Sequence, residues 1–361
     1  MTTTHGADAR GDESPGVEYR KLQVTGGSTF IVSLPKEWIR GHGLKRSDVV
    51  GVATLPTGEL QITPSRTRAL PRRTVLDLDV MPEGELYDFL IGVYVAGCDG
   101  VTVRAASGIT PKQRRTIRTF LRDTRGMEVA DDSEKHIDII SLLNANELPL
   151  QVSLNRMYLL VASIVDDAIS VLNGEDPDLL SDLEERERQI DARRLLVDRQ
   201  VAMALQALSI ERSLGVDRYQ AMEHASMARA LERMGDHARS FANIILNHGS
   251  TLNHDVIREP KDLLDVWSAS LRTIIRNTYS KDVNAIVNAK RNLQKARTAL
   301  ETFEEGIVEQ EGEGTGSSVF HFRFSEKIRR LCAYTIDLSE TLINMVMAGR
   351  LSVQPLPQAT E

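Results

Sequence analysis

The segment RALERMGDHA, residues 229–238, lies inside a proline-free run from Asp217 to Gly249 in which apolar residues recur at helical spacing. That apolar stripe consists of Met227, Leu231, Met234, Ala238, Phe241 and Ile245. On the predicted helix Glu232 and Asp236 are four residues apart, so their carboxylates project from the same face. Like charges at this spacing repel, which costs the helix about 0.2–0.5 kcal/mol. The pattern therefore predicts an opposite charge beside them, either a basic side chain or a metal ion, for which oxygen ligands are suited.

A second carboxylate pair occurs on the preceding helical run. Glu187 and Asp191 have the same four-residue spacing between Asp178 and Leu214. If the two helices form an antiparallel hairpin, all four carboxylates meet between them. The alternative is purely structural, because the arginines of the second helix are near enough to neutralise the acids. These arginines are Arg229, Arg233 and Arg239.

The LERMGDHA segment resembles the LERIGDxA signature of PhoU proteins, and Asp176 to Asp191 resembles the helix that faces it. The resemblance covers roughly residues 151–349 and implies two tandem three-helix repeats, at 151–249 and 252–349. It further implies regulation of phosphate uptake and an iron or zinc cluster in the first repeat. The ligands that the resemblance implies are Glu187, Asp191, Glu232 and Asp236.

The second repeat departs from this pattern. Alignment on the signature places Arg329 at the glutamate and Ala333 at the aspartate, and the facing helix carries Lys290, Arg291, Lys295 and Arg297. Hard cations need oxygen ligands, so this place is predicted to hold no cation and to be able to attract an anion. His224 and His237 are further potential zinc or iron ligands, although a lone histidine on a helix is more often a surface residue or supports a ligand.

Composition limits the class of protein. The chain has 361 residues, 41% hydrophobic and 26% charged, which is ordinary for a globular protein of two or three domains. No apolar run reaches the length of a membrane span, so direct membrane insertion is not expected. Residues 1–16 are polar and are predicted to form a disordered tail. Cys98 and Cys332 fall in different predicted domains, which argues against a disulfide framework and for a reducing cytoplasm.

Charge is distributed unevenly. The formal net charge is −7, yet Arg20 to Arg46 contains six basic residues against one acid, Glu37, and Arg66 to Arg73 adds four arginines. A basic end on an acidic body is typical of a protein whose terminal domain binds nucleic acid. A solvated basic face is the alternative.

Residues 19–64 alternate in the manner of short strands separated by glycine-rich turns. The segment KLQVTGGSTFIVSLPKEW, residues 21–38, resembles the AbrB-like swapped-hairpin domain, here assigned to 17–66. The resemblance implies a homodimer that binds double-stranded DNA. The DNA-binding residues it implies are Arg20, Lys21, Lys36, Arg40, Lys45 and Arg46. Ser47 stands where these domains usually have glycine in a KGD turn, which makes that turn less certain.

Pro64 to Arg73 is a linker by composition, and a small α/β domain is predicted at 74–143. Its strands are expected at Leu76 to Val80, Val101 to Val103 and from Ile137. Its helices are expected at Glu83 to Ala96 and from Thr110 to Arg125. The second helix carries six basic residues, which either extend a DNA-facing surface or form a solvated face.

Six helices are predicted in the remaining chain, near 152–173, 178–214, 217–248, 255–280, 282–310 and 318–348. Two sets of three suit an antiparallel bundle. The predicted fold is therefore multidomain and mainly α, with a β-rich N-terminal domain and a small middle α/β domain.

No nucleophile–base pair, phosphate-binding loop or HExxH motif is present, so an enzyme is the least favoured class. The leading hypothesis is a cytoplasmic DNA-binding regulator of phosphate uptake. The alternative is a PhoU-type adaptor for a phosphate transporter ATPase or a signalling protein, with the β domain used only for dimerisation.

Overall fold

The structure is a computed structural model in which the chain forms two compact units, Met1–Leu70 and Pro71–Glu361. It describes residues 18–27, 29–55, 58–64, 71–142, 148–310 and 316–351. The predicted tail at 1–16 lies outside the described residues.

The N-terminal unit consists of two antiparallel strand pairs and one short helix. β1 (Gln23–Thr25) pairs with β2 (Thr29–Ile31), α1 (Lys36–Gly41) follows, and β3 (Val50–Thr54) pairs with β4 (Leu60–Pro64). Ser47 adopts a left-handed backbone with φ of 74°, the conformation for which glycine is usual. The Lys45 backbone N–H donates to the Asp48 carboxylate at 2.7 Å, which closes this turn without glycine.

The middle domain is a four-stranded sheet packed against two helices. Its elements are β5 (Arg73–Asp77), α2 (Leu86–Val95), β6 (Gly100–Arg104), α3 (Pro111–Asp123), β7 (Met127–Asp132) and β8 (His136–Ser141). The sheet order is β5-β6-β8-β7, with β5 parallel to β6 and the other pairs antiparallel. Val103, Ile139, Leu90, Tyr94 and Phe120 form the centre of its core.

One sequence prediction in this domain was wrong, and one strand was missed. The first strand ends at Asp77 rather than Val80, because the Asp79 N–H donates to the Asp77 carboxylate at 3.1 Å and turns the chain. The strand β7 was missed because only Met127 of its six residues is buried. An exposed edge strand has little apolar alternation to reveal it.

The helical part comprises two sets of three main helices. The first set has α4 (Leu150–Leu172), α5 (Leu183–Gln206), the short α6 (Leu208–Leu214) and α7 (Arg218–His248). The second has α8 (Arg258–Ser280), α9 (Val283–Gln310) and α10 (Gly316–Ala348). The single helix predicted at 178–214 is interrupted at Ala207, whose extended backbone (φ −142°, ψ 118°) ends α5 and starts α6. No proline or glycine marks this break in the sequence.

The two sets meet along α7 and α10. The Trp267 indole N–H donates to the Thr335 hydroxyl at 3.0 Å, and that hydroxyl lies 3.2 Å from the Met234 sulfur. The rings of His237 and Tyr334 stack with centroids 5.5 Å apart. These two residues occupy the same position in the signature alignment, so the two repeats contact each other through equivalent segments.

The helix α5 joins the bundle to the middle domain. Leu195 belongs to the core of the sheet domain, and Arg199 is 2% exposed. The Arg199 guanidinium donates to the Tyr94 carbonyl at 2.7 Å and lies 5.1 Å from the centroid of the Tyr94 ring. A buried charge held in this way fixes one helix against both domains. None of the described helices is long and apolar enough to cross a membrane.

Candidate functional site

A cavity of about 360 Å³ lies between α2 and α3 of the middle domain and α5 and α7 of the bundle. We call it the acidic cavity. Its lining residues are Tyr87, Ile91, Arg122, Asp123, Glu184, Glu187, Arg188, Asp191, Arg194, Leu195, Glu232 and Arg239. It brings together three of the four predicted metal ligands, and the fourth, Asp236, lies outside the lining.

A glycine lets the two ligand-bearing helices approach each other. A Cβ atom on Gly235 would lie 2.9 Å from the Cδ1 atom of Ile190, closer than side chains tolerate. Gly235 and Ile190 directly precede Asp236 and Asp191 in sequence. The glycine of the signature therefore permits close packing beside the carboxylates, a role that the sequence analysis did not assign.

The carboxylates act on one another electrostatically. Burial raises the pKa of Asp191 most, and Glu187, Glu232 and Asp236 raise it further, to about 7 against an ordinary 3.8. Burial and then Asp236 raise the pKa of Glu232. At neutral pH the Asp191 carboxyl is thus partly protonated, as expected where like charges share a half-buried site.

Arginines neutralise the other three carboxylates. Arg239 forms an ion pair with Glu187, and Arg233 lies 3.6 Å from both Glu232 and Asp236. Arg194, which the sequence analysis did not single out, has its Nε atom 3.8 Å from Glu232. The third predicted partner, Arg229, lies 4.0 Å from Asp198 instead.

Asp191 differs from the other three acids, because no described basic side chain forms an ion pair with it. Carboxylate oxygens are the ligands that hard cations prefer, and a bound cation would offset the negative charges that keep Asp191 partly protonated. No three of these four carboxylates, however, bring oxygens within 4.8 Å of one another. The iron or zinc cluster therefore stays a prediction.

A different cluster meets that distance criterion within the described part of the chain, formed by Asp131, His136 and Asp138 on the β7–β8 hairpin. Both ring nitrogens of His136 already have partners, the Ser133 hydroxyl at 2.7 Å and the Asp131 carboxylate at 2.8 Å. The Asp138 carboxylate accepts from the Thr102 hydroxyl of β6 at 2.5 Å, so hydrogen bonds within the sheet account for this arrangement.

The middle domain contributes its own polar groups to the acidic cavity. The Tyr87 hydroxyl donates to Asp123 at 3.0 Å, and Arg188 of α5 lies 3.8 Å from the same carboxylate. Burial and the nearby Asp123 raise the pKa of Tyr87 to about 12. The hydroxyl thus stays protonated and donates a hydrogen bond to the carboxylate, which joins α2 to α3 at the mouth of the cavity.

The six predicted DNA-binding residues are all exposed on the N-terminal unit. Arg20 forms an ion pair with Glu18. The same unit exposes large apolar side chains, and none of its described residues is buried. Those that are at least 60% exposed are Tyr19, Leu22, Val24, Phe30, Val49, Val52 and Leu60. A single copy of this unit therefore fully buries none of its described apolar residues.

Comparison with protein families gives a match for the N-terminal unit and for the first helical repeat. Residues 154–245 match the PhoU domain, and residues 23–69 match the family described as antidote-toxin recognition MazE, bacterial antitoxin. The chain carries a PhoU domain. Its N-terminal unit is a MazE/AbrB-like domain, so the architecture expected from the sequence is confirmed. Searches of curated proteins and of solved structures gave no significant match.

The PhoU match covers the first three-helix repeat, and the second repeat differs from it in the way the sequence suggested. Lys290 forms an ion pair with Glu340 at 2.7 Å, and Arg329 Nε donates to the two Glu304 oxygens at 3.0 and 2.9 Å. The Ser325 hydroxyl also donates to Glu304 at 3.1 Å. These pairs neutralise Lys290 and Arg329, two of the cations on which the expectation of an anion site rested, and that expectation stays a prediction. Glu304 was missed because it precedes Arg329 by 25 residues.

His224 and His237, the two histidines considered as metal ligands, do not line the acidic cavity. The His224 ring is buried, with Nδ1 2.7 Å from the Gln220 carbonyl. Burial, followed by Lys327, lowers the pKa of the half-buried His237, whose ring stacks on Tyr334. Packing and hydrogen bonding account for both rings, although the buried His224 is not the surface residue that the sequence alternative described.

Proposed function

We propose that this chain is a DNA-binding transcriptional regulator of phosphate uptake that acts in the cytoplasm as a homodimer. The observation that carries the proposal is the joining of a MazE/AbrB-like domain to a PhoU domain in one chain. The first suggests binding to DNA, and the second suggests control of phosphate homeostasis. The proposal assigns the chain no catalytic step.

Exposed basic side chains support the DNA-binding part. Six such residues occur between Arg20 and Arg46, and cations of this kind bind phosphates by releasing counterions from the duplex. Binding should therefore weaken steeply as the salt concentration rises. Phosphate contacts provide affinity for any sequence, whereas contacts with the base edges provide specificity.

The DNA test is a gel-shift titration with the DNA upstream of the chain's own coding sequence, repeated at several salt concentrations. Replacing Arg20, Lys21 and Arg46 by alanine should weaken binding and flatten its salt dependence. The matched control removes three exposed cations from the helical unit, Arg258, Arg291 and Lys295. Equal affinity of the two triple variants would overturn the proposal and favour the adaptor hypothesis.

Exposed apolar side chains support the dimer. A β unit this small has too little interior to be stable alone, and its seven large apolar residues that are at least 60% exposed form surface that a second copy would cover. Light scattering on the full chain and on a shortened protein beginning at Pro71 tests this. We expect the full chain to be dimeric and the shortened protein monomeric. A shortened protein that remains dimeric would place the contact in the helices.

We further propose that the first repeat binds an iron or zinc ion as the sensing element. Glu187, Asp191, Glu232 and Asp236 would hold it through their carboxylate oxygens. The bound ion would supply the positive charge that Asp191 lacks. Because Tyr87 and Asp123 border the same cavity, occupancy there would also act on the middle domain. This provides a physical route from the PhoU domain toward the remainder of the chain.

A further inference from the structure

A second cavity, of about 380 Å³, lies between α4 and α8 on a part of the bundle that does not include the acidic cavity. Its lining contains Arg272 and Arg276, two tyrosines (Tyr158 and Tyr279) and the amide of Asn155. No carboxylate is among the lining residues. Its size falls within the range of about 300–1,000 Å³ that is usual for small-molecule sites.

The two arginines of this lining have no close counter-charge among the described residues. They are four residues apart on α8, so the guanidinium groups project from the same face and repel each other. Neither forms an ion pair with a described residue. Asp166 interacts with Arg272 only over a longer range, and burial outweighs this in raising the pKa of Asp166. In a chain with 51 acidic and 44 basic residues, two adjacent unpaired cations leave a local excess of positive charge.

The tyrosines give this charged surface an aromatic component. Tyr279 is 64% exposed, in the last turn of α8, and Tyr158 of α4 packs partly against the bundle core. Ile275, 4% exposed, belongs to the same lining. An exposed tyrosine ring beside a guanidinium pair offers a face on which a planar ring can stack.

The backbone around the cavity is firmly held. The Gln151 amide donates to the Thr278 hydroxyl at 2.5 Å and joins α4 to α8 next to Tyr279. At the end of α8 the Asn277 side-chain oxygen accepts from the Ser280 hydroxyl at 2.7 Å and from the Asp282 N–H at 3.0 Å. The aromatic and basic groups are thus positioned by secondary structure rather than by a loop, as a site requires.

We propose that this cavity binds a nucleotide, with its phosphates on Arg272 and Arg276 and its base against Tyr279 and Tyr158. Guanidinium groups bind phosphate oxygens through paired hydrogen bonds. Simple anions would use the arginines alone and leave the aromatic rings without a role. The site is separate from the DNA-binding unit and from the carboxylates of the first repeat, so it does not depend on the function proposed above.

Calorimetric titration of the full chain with ADP, GDP, CDP and UDP tests the proposal, with adenosine and inorganic pyrophosphate as partial ligands. We expect at least one diphosphate to bind once per chain, and more tightly than either partial ligand. Replacing Arg272 and Arg276 together by glutamine should weaken binding about a hundredfold, since each hydrogen bond to a charged group contributes about tenfold or more. Tyr279→Ala should weaken it about fivefold or more, whereas Tyr279→Phe, which keeps the ring, should not.

Arg258→Gln is the matched control, because Arg258 is an exposed arginine of the same helix that pairs with Asp255 outside the cavity. The substituted side chains, those of Arg258, Arg272, Arg276 and Tyr279, are all exposed, so circular dichroism should show an unchanged fold. Failure of all four diphosphates to bind would overturn the proposal. Binding that the double arginine variant leaves intact, or pyrophosphate binding as tight as that of the diphosphates, would also overturn it.

Discussion

The two three-helix repeats differ in whether the charged side chains at the signature position are neutralised. In the first repeat, Asp191 faces three further carboxylates and lacks an ion-pair partner among the described residues. In the second repeat, Arg329 occupies the glutamate position of the signature and is neutralised by the buried Glu304. An electrostatically incomplete site can take up a ligand, whereas a complete one can only stabilise the fold. We therefore expect the first repeat to bind a ligand and the Glu304–Arg329 pair of the second repeat to stabilise the fold.

The two repeats also differ in how closely their signature helix approaches the facing helix. The register that places Gly235 in the first repeat places Cys332 in the second, where it is completely buried. Glycine in mid-helix is unfavourable by about 1 kcal/mol relative to alanine, so it needs a packing or functional reason. Contact with Ile190 provides that reason in the first repeat. The second repeat accommodates a side chain at the same place.

The largest expected loss of stability comes from breaking the Arg329–Glu304 ion pair of the second repeat. Arg329→Ala leaves the Glu304 carboxylate, 8% exposed, without its counter-charge, which should destabilise the fold by about 3–5 kcal/mol. Urea unfolding followed by circular dichroism measures this. The neighbouring Arg330→Ala removes a half-exposed pair with Glu326 and should cost about 0.5 kcal/mol.

Removing both charges of the pair distinguishes the cost of an unpaired buried charge from the cost of lost side-chain packing. The double variant Glu304→Gln/Arg329→Met should recover most of the lost stability, because no isolated charge remains buried. Equal losses for Arg329→Ala and Arg330→Ala would show that the second repeat does not depend on this pair, and the contrast between the repeats would fail.

The next effect concerns metal in the first repeat. Iron or zinc at a hundred times its dissociation constant should stabilise the protein by about 2.7 kcal/mol, visible as a higher melting temperature. Elemental analysis should find metal in the purified protein and none in the Glu232→Ala/Asp236→Ala variant. Equal metal content in both proteins would show that these four carboxylates do not form the metal site. If neither protein contains metal and added metal gives no thermal shift, the arginines would be the only counter-charges of the four carboxylates.

Local patterns revealed much of the fold. Helical periodicity located the long helices because each buries one continuous stripe, and the carboxylate spacing identified four residues that the structure does couple. The rest depends on long-range contacts. The Tyr87 hydroxyl of α2 donates to Asp123 of α3, and Arg199 of α5 donates to the Tyr94 carbonyl of α2, although these segments are far apart in sequence. Nothing in the spacing of Glu304 reveals that Arg329 binds it.

A smaller effect should appear in the pH dependence of the first repeat, with metal removed by a chelator. The pKa of Asp191 is about 7 in the fold and near 3.8 in the unfolded chain, so the native state holds its proton over that interval. Stability should therefore fall as pH rises from about 4 to about 7. Asp191→Asn should be more stable than the natural protein at pH 8 by about 2 kcal/mol, a figure reduced for solvent screening, and by less at pH 4.5.

Urea midpoints at the two pH values provide this measurement. The control is Asp255→Asn on the second repeat, whose carboxylate is 82% exposed and which should show no such pH-dependent gain. A gain for Asp191→Asn that is equal at both pH values would mean that packing, rather than ionisation, limits the stability of this site.

The smallest effect tests the helix contact itself. Gly235→Ala adds a methyl group 2.9 Å from the buried Ile190, and the resulting strain of about 1–3 kcal/mol should exceed the gain of about 1 kcal/mol in helix propensity. We expect a net loss of about 1 kcal/mol in the urea midpoint assay. Gly306→Ala in α9 is the matched control, because no atom lies within 4 Å of the added methyl group and only the propensity gain remains. The two substitutions should thus shift stability in opposite directions. Stabilisation by both would mean that α5 and α7 have room for a side chain, and the signature glycine would then need a reason other than close packing beside the carboxylates.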